Sequence, residues 1–358
     1  MSQGKDILWV GPWSPGHNNP RQAELLPRLT RVNAWRVMFN ENRYLRAIQT
    51  RIYWRVFPLF LYPFIFRWFS RQYKYLWCTD LNQIPHFLGD IVVDVDDPRF
   101  TPYETRMLNH PRVRVVVTTT HLLRERLIRE GVQKDILVMP QGISFKDRSV
   151  IRQAEIARKY RGHGEIVIGL SQPLLSLGAP GSKFKRKAWP DEYTMKFLLD
   201  AMEQVWPVIP EAELWLLGRP HDSLIEYART RPTIKLMGYI PRHDLLNYIA
   251  NFDIAVYPRQ VDFEGRFSVK LIEYMGCGVP IVSTNVGESF VVAEAKSGLV
   301  ANDVEEFAEA LIRLCRDPVL RRELGENGRR FAVDYDWDAI AVRYEQDAFE
   351  RYFGPSEA

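Results

Sequence analysis

Two sets of residues in this 358-residue chain have the types and spacing to do chemistry. The first lies within residues 262–288, DFEGRFSVKLIEYMGCGVPIVSTNVGE. Phe267, Leu271, Ile272 and Met275 recur at helical spacing, which predicts an amphipathic helix over 268–275. A helix start presents unpaired backbone N–H groups and the positive end of the dipole, so Ser268, Val269 and Lys270 form a candidate anion site. Glu273 falls about one turn further on. A carboxylate there can accept hydrogen bonds from a vicinal diol such as ribose, and the combination suits a nucleoside diphosphate. The competing reading pairs Lys270 with Glu273 on the helix surface, a contact worth only a few tenths of a kcal/mol.

The second set consists of acids and a histidine at strand ends. Asp80 closes an apolar run at 75–80, and Asp94 and Asp96 sit in the run 90–97. Asp94-Val95-Asp96 has the spacing of a metal-binding DxD, which would hold a diphosphate through a divalent ion. The separate diphosphate site near Ser268 argues against that role, and no metal is expected. His121 sits on a strand-to-helix turn, where a lone histidine is commonly structural.

The elements that position these groups follow from the hydrophobic pattern. Short apolar runs at 7–13, 75–80, 90–97, 113–120, 136–143, 165–170, 213–218, 234–238, 253–258 and 280–284 read as buried strands. Amphipathic helical segments alternate with them, notably 121–130 and 338–352. Such alternation predicts an α/β chain of two doubly wound parallel-sheet, Rossmann-like domains. The polar stretch 144–164 reads as a surface helix and linker. Domains are therefore expected at 1–150 and 164–336.

Hydrophobic residues make up 46% and charged residues 26%, which excludes a disordered chain. A net charge of +4 is too small to argue for nucleic acid. Cys78, Cys277 and Cys315 lie far apart without a CxxC pair, so neither a zinc site nor a disulfide framework is expected. Residues 1–6 lead directly into an apolar strand without a signal-peptide core. A cytoplasmic location is expected.

Residues 43–75 are densely aromatic and flanked by Arg43, Arg46, Arg51, Arg71 and Lys74. Arg55 and Arg67, with Pro58 and Pro63, argue against a membrane-spanning helix. Aromatic rings beside Arg and Lys suit an element lying in the interface of an anionic membrane. A core helix with a few exposed arginines is the alternative.

The run F-S-V-K-L-I-E-Y-M-G-C-G-V-P-I-V-S-T-N-V-G resembles the donor-site signature of retaining GT-B glycosyltransferases of group 1, the family 4-like type. That signature is E-x-F-G-x(4)-E-A-M-A-x-G-x-P-V-V-A-T-x-x-G. Phe267, Ser268, Glu273, Gly278, Pro280 and Gly287 fall in register. The family's first Glu maps to Gly265, with Glu264 one residue away. Residues 113–143 and 241–251 also resemble family segments.

The resemblance implies a GT-B fold, two domains facing across a cleft, and transfer of a sugar from a nucleotide-diphosphate donor to an acceptor hydroxyl with retention. The acceptor would bind the first domain, with a terminal helix at 337–358 packing back on it, and the donor the second. The donor is then a substrate, with no cofactor required. Glu273 would grip the ribose and Glu264 the sugar. One or two of Lys183, Lys185, Arg186 and Lys187 would neutralise the leaving diphosphate, with Lys185 and Lys187 as the candidates. Tyr239 and Ile240 would meet the nucleobase. Asp96, Asp80 and His121 fall on the acceptor side, where an acid could orient a hydroxyl or act as its base; capping of loops is the other reading of those acids. The aromatic segment hints at a glycan or lipid-linked acceptor on the inner face of the cytoplasmic membrane. Two other readings remain open on the same fold, a nucleotide-sugar epimerase and a non-catalytic membrane-associated scaffold, the latter motivated by Gly265.

Overall fold

The computed structural model describes residues 5–13, 20–38, 49, 56, 60–96, 98–161, 165–177, 191–260 and 267–355. The chain forms two compact units. One contains Met1–Gly142 and Trp337–Ala358, the other Ile143–Glu264 and Ser268–Asp336.

The first unit is built on parallel strands β1 (Ile7–Trp13), β2 (Val32–Met38), β3 (Tyr75–Cys78), β4 (Asp90–Val95), β5 (Val113–Thr118) and β6 (Asp135–Val138). Their order is β2-β1-β3-β4-β5-β6. β4 and β5 are rich in valine because a parallel sheet is covered on both faces. Alternate residues feed two cores. Leu8, Val10, Leu76, Ile91 and Val93 pack with Tyr62, Phe66 and Phe69 on one face. Ile7, Trp9, Trp77, Val92 and Val115 pack with Trp337, Ile340, Tyr344 and Phe349 on the other.

Residues from Trp337 onward thus complete the first unit. Tyr75 stacks on Phe353 with ring centroids 4.1 Å apart, and its hydroxyl donates to the Phe353 carbonyl at 2.8 Å. A buried polar knot fastens the same segment. Arg21, on the helix Pro20–Leu25, is fully buried and donates through Nε to Asp94 Oδ2 at 3.0 Å. Its two Nη atoms donate to the carbonyls of Pro140 and Met139, each at 2.8 Å. The Tyr344 hydroxyl donates to the same Asp94 oxygen at 2.8 Å.

Of the aromatic stretch 43–75, residues 49, 56 and 60–75 are described, while Arg43, Arg46, Arg51, Arg55 and Pro58 lie outside the described residues. Residues Tyr62–Phe69 form a helix, with Pro63 in its first turn, where a missing N–H costs nothing. Tyr62, Phe66 and Phe69 face the core, whereas Phe64 and Trp68 are 77% and 56% exposed. No described helix is long and apolar enough to cross a membrane.

The second unit carries parallel strands β7 (Ile166–Leu175), β8 (Ala212–Pro220), β9 (Ile234–Gly238), β10 (Ile254–Tyr257), β11 (Ile281–Thr284) and β12 (Gly298–Ala301). Their order is β12-β11-β10-β7-β8-β9. The chain runs outward from β7 in one direction, then returns to lay β10 on its other side. That reversal makes a topological switch point between β7 and β10, where α/β sheets bind ligands beyond their carboxyl ends. Helices Asp191–Val205 and Val304–Arg316 cover one face through Met195, Leu198, Met202, Phe307 and Leu311. The helical region at 304–333 breaks into two because Asp317 caps a second helix, Pro318–Ala332, accepting from the Leu320 amide at 2.9 Å. The stretch 144–164 holds the helix Val150–Tyr160, which sits within the second unit, with Asn247 Nδ2 donating to the Asp147 carbonyl at 3.0 Å.

Candidate functional site

The helix Val269–Gly276 is the next described element after β10, the strand beside the switch point. Ser268 is its N-cap, with extended backbone (φ −98°, ψ 100°) and no side-chain cap bond. Leu271, Ile272, Tyr274 and Met275 drive the helix into the core and fix its axis. Tyr274 adds a polar anchor: its hydroxyl accepts from the Ser171 amide of β7 at 2.9 Å, tying the helix to the neighbouring strand. Gly278 ends the segment at φ +71°, and a Cβ there would meet the Arg329 guanidinium at 2.5 Å.

Glu273 lies buried, 7% exposed, rather than on the helix's outer surface. Burial raises its pKa, and Arg242 and Lys270 pull it back in part. Arg242 Nη1 stands 3.7 Å from Glu273 Oε1. Lys270 Nζ lies 5.8 Å from the Tyr257 ring centroid, and its charge also favours the ionised acid. A buried carboxylate whose Arg242 contact is as long as 3.7 Å has acceptor capacity left for hydroxyl donors.

Two other expected residues leave the same carboxyl edge. Gly287 opens the turn Gly287–Ser289 that follows β11 by two residues. Tyr239 follows β9, is 60% exposed, and has the Arg219 guanidinium 5.0 Å from its ring centroid. Lys185, Lys187 and Glu264, with Lys183, Arg186 and Gly265, lie outside the described residues.

In the first unit, Asp80, Asp96 and His121 fall beyond the carboxyl ends of three adjacent strands, β3, β4 and β5. Asp80 is buried and caps the short turn Leu81–Gln83. Its Oδ1 accepts from the Asn82 amide at 3.0 Å and Nδ2 at 2.9 Å, and its Oδ2 accepts from the Tyr62 hydroxyl at 2.8 Å. Burial raises its pKa against those donors. Asp96 is partly exposed and accepts from Gln141 Nε2 at 2.7 Å. His121 is exposed at the first position of the helix His121–Arg129, which Thr120 caps. Asp94 of the DxD spacing faces Arg21, whose Nε lies 3.0 Å from its Oδ2. Among the described residues no group of three His, Cys, Asp or Glu side chains could hold a metal ion.

Sequence reasoning missed Arg242, Tyr274, Arg21 and Tyr344. Only the fold brings their partners near, and no local spacing signals them.

Residues 186–317 match the family described as "Glycosyl transferases group 1". The chain is related to that family. Its two parallel-sheet, Rossmann-like units make the fold GT-B. It is similar to the GDP-mannose-dependent monoacylated alpha-(1-6)-phosphatidylinositol monomannoside mannosyltransferase of Corynebacterium glutamicum, 29% identical over 41% of each chain. The chain therefore matches about two fifths of that curated relative's length. Sucrose-phosphate synthase from Thermosynechococcus elongatus superposes with a TM-score of 0.72 at 17% identity, covering 98% of this chain and 100% of that one. HepE from Anabaena, solved with UDP, gives 0.71 at 15% identity, covering 96% and 99%.

Proposed function

We propose that the protein transfers a sugar from a nucleotide-diphosphate donor to an acceptor hydroxyl. The observation that carries this reading is Glu273, buried about one turn behind a helix start at the switch point, inside the segment matched to group 1 glycosyltransferases. The second unit, 164–336 in the sequence division, holds the donor. The Ser268, Val269 and Lys270 amides meet the diphosphate, Glu273 accepts from the ribose diol, and Tyr239 offers a ring face to the base. Gly287 lets the chain approach the donor closely. Glu264 reads the sugar, and Lys185 and Lys187 neutralise the departing diphosphate. Cations placed there stabilise the transition state more than the ground state, because the charge develops only as the anomeric C–O bond breaks.

The acceptor belongs to the first unit, 1–150 with the terminal segment, where Asp96, Asp80 and His121 share one sheet edge. The reaction is metal-independent and retains configuration: the acceptor oxygen bonds the anomeric carbon from the side the diphosphate leaves, and the hydroxyl proton passes to a phosphate oxygen. Asp96, the more exposed of the two acids, orients that hydroxyl. The phosphatidylinositol monomannoside in the name of the Corynebacterium relative, together with the aromatic stretch 43–75, supports a lipid-linked glycan acceptor at the cytoplasmic face of an anionic membrane.

The test is thermal unfolding with UDP-, GDP-, ADP- and TDP-sugars. One nucleotide series raises the melting temperature of the wild-type chain and not of Glu273→Ala. No shift with any of them removes the donor site.

A further inference from the structure

The helix Tyr62–Phe69 has two faces with different partners. Phe60, Phe64 and Trp68 recur at four-residue spacing and are exposed, with Leu61 and Arg67 beside them. Trp35, at the edge strand β2, widens this surface, its ring edge-on to Phe69 at 5.5 Å. Arg36, Arg67, Arg71 and Lys74 are exposed around it, and residues 60–75 contain no acid. An exposed aromatic face with cations beside it fits an anionic lipid surface, where rings settle among the headgroups and cations add attraction. On the inner face, Tyr62 is buried and its hydroxyl donates to Asp80 at 2.8 Å.

We propose that Phe60, Phe64 and Trp68 dock this helix on an anionic bilayer, and that docking steadies Asp80 through the Tyr62 hydroxyl. The proposal deepens the functional reading and rests on it only for the role of Asp80. Docking restricts the helix, and the restriction reaches the turn Leu81–Gln83 because Asp80 bonds Tyr62 and Asn82 at once. Coupling of this kind needs no change of shape: ordering one end lowers the cost of ordering the other.

The test combines vesicle sedimentation with amide hydrogen exchange. The wild-type chain is recovered with phosphatidylcholine vesicles containing about 30% phosphatidylglycerol and not with pure phosphatidylcholine. The double variant Phe64→Ser, Trp68→Ser lowers that recovery about tenfold, and its exposed positions leave the fold intact. Anionic vesicles slow exchange over residues 60–71 and again over 80–83. Tyr62→Phe keeps the first protection and loses the second. Equal recovery from both lipids overturns the docking face, and protection confined to 60–71 in the wild-type chain overturns the coupling. Neither readout uses a nucleotide sugar, so failure here is distinct from failure of the transferase reading.

Discussion

Arg242 holds its guanidinium 3.7 Å from the buried carboxylate of Glu273, too far for a strong hydrogen bond and close enough to favour the charged acid. Arg242 is half exposed, so solvent screens much of that attraction. The acid is left costly to bury and ready for a second partner. Glu273→Gln is expected to weaken nucleoside diphosphate binding by about 1–3 kcal/mol, the range for a charge-assisted hydrogen bond. Calorimetry with the stabilising nucleotide measures it, and unchanged affinity would take Glu273 out of the site.

The same burial sets a pH dependence. Glu273 holds its proton more tightly in the folded chain than in the unfolded one, since burial raises its pKa. Its contribution to stability is fully present below the unfolded carboxylate pKa and declines as pH rises through the folded one. Nucleotide affinity runs the other way, falling as pH drops through the raised value, because only the carboxylate accepts from both ribose hydroxyls. Binding isotherms taken at successively lower pH should show that loss in the wild type and a weaker pH dependence in Glu273→Gln.

Asp94→Asn leaves Arg21 buried without a counter-charge and should cost about 3–5 kcal/mol. Replacing both partners by apolar residues of similar size recovers much of that loss, since the desolvation cost disappears with the pair. Tyr344→Phe removes one hydroxyl from the same knot and should cost about 1–2 kcal/mol. Urea unfolding read by near-UV circular dichroism resolves the three variants. A Tyr344→Phe effect as large as that of Asp94→Asn would contradict the assignment.

Gly218 has φ +150°, and a Cβ there would meet the Gln172 carbonyl oxygen at 1.8 Å. The approach joins β8 to the irregular end of β7, whose register shifts between Ser171 and Leu174. Gly218→Ala is expected to destabilise the second unit by more than about 2 kcal/mol. A change below about 0.5 kcal/mol in urea unfolding would show that the strand end yields easily.

The helix at Ser268 was legible because Phe267, Leu271, Ile272 and Met275 mark one face, and glycines follow it. Most strands were legible as short apolar runs. β2 was not, because Asn33 and Arg36 interrupt its apolar pattern at a sheet edge. β12 is four residues beginning with Gly298, too short to stand out. No local pattern singles out Arg21, since its partners lie at Asp94, Met139, Pro140 and Tyr344 and only tertiary folding collects them. The pairing of Arg242 with Glu273 was hidden for the same reason. The candidate residues that sequence named most firmly are those whose role depends on backbone position within one helix.

The first sheet is finished by residues that follow the second unit in the chain. Trp77, Val92 and Val115 find their cover in Trp337, Ile340, Tyr344 and Phe349. On the ribosome, that face waits while the whole of the second unit is translated, a delay on the order of 10–40 s at about 5–20 residues per second. The nascent chain must carry an uncovered, tryptophan-bearing surface through that interval, so holding chaperones should bind it there, and truncation before Trp337 should harm folding of the first unit.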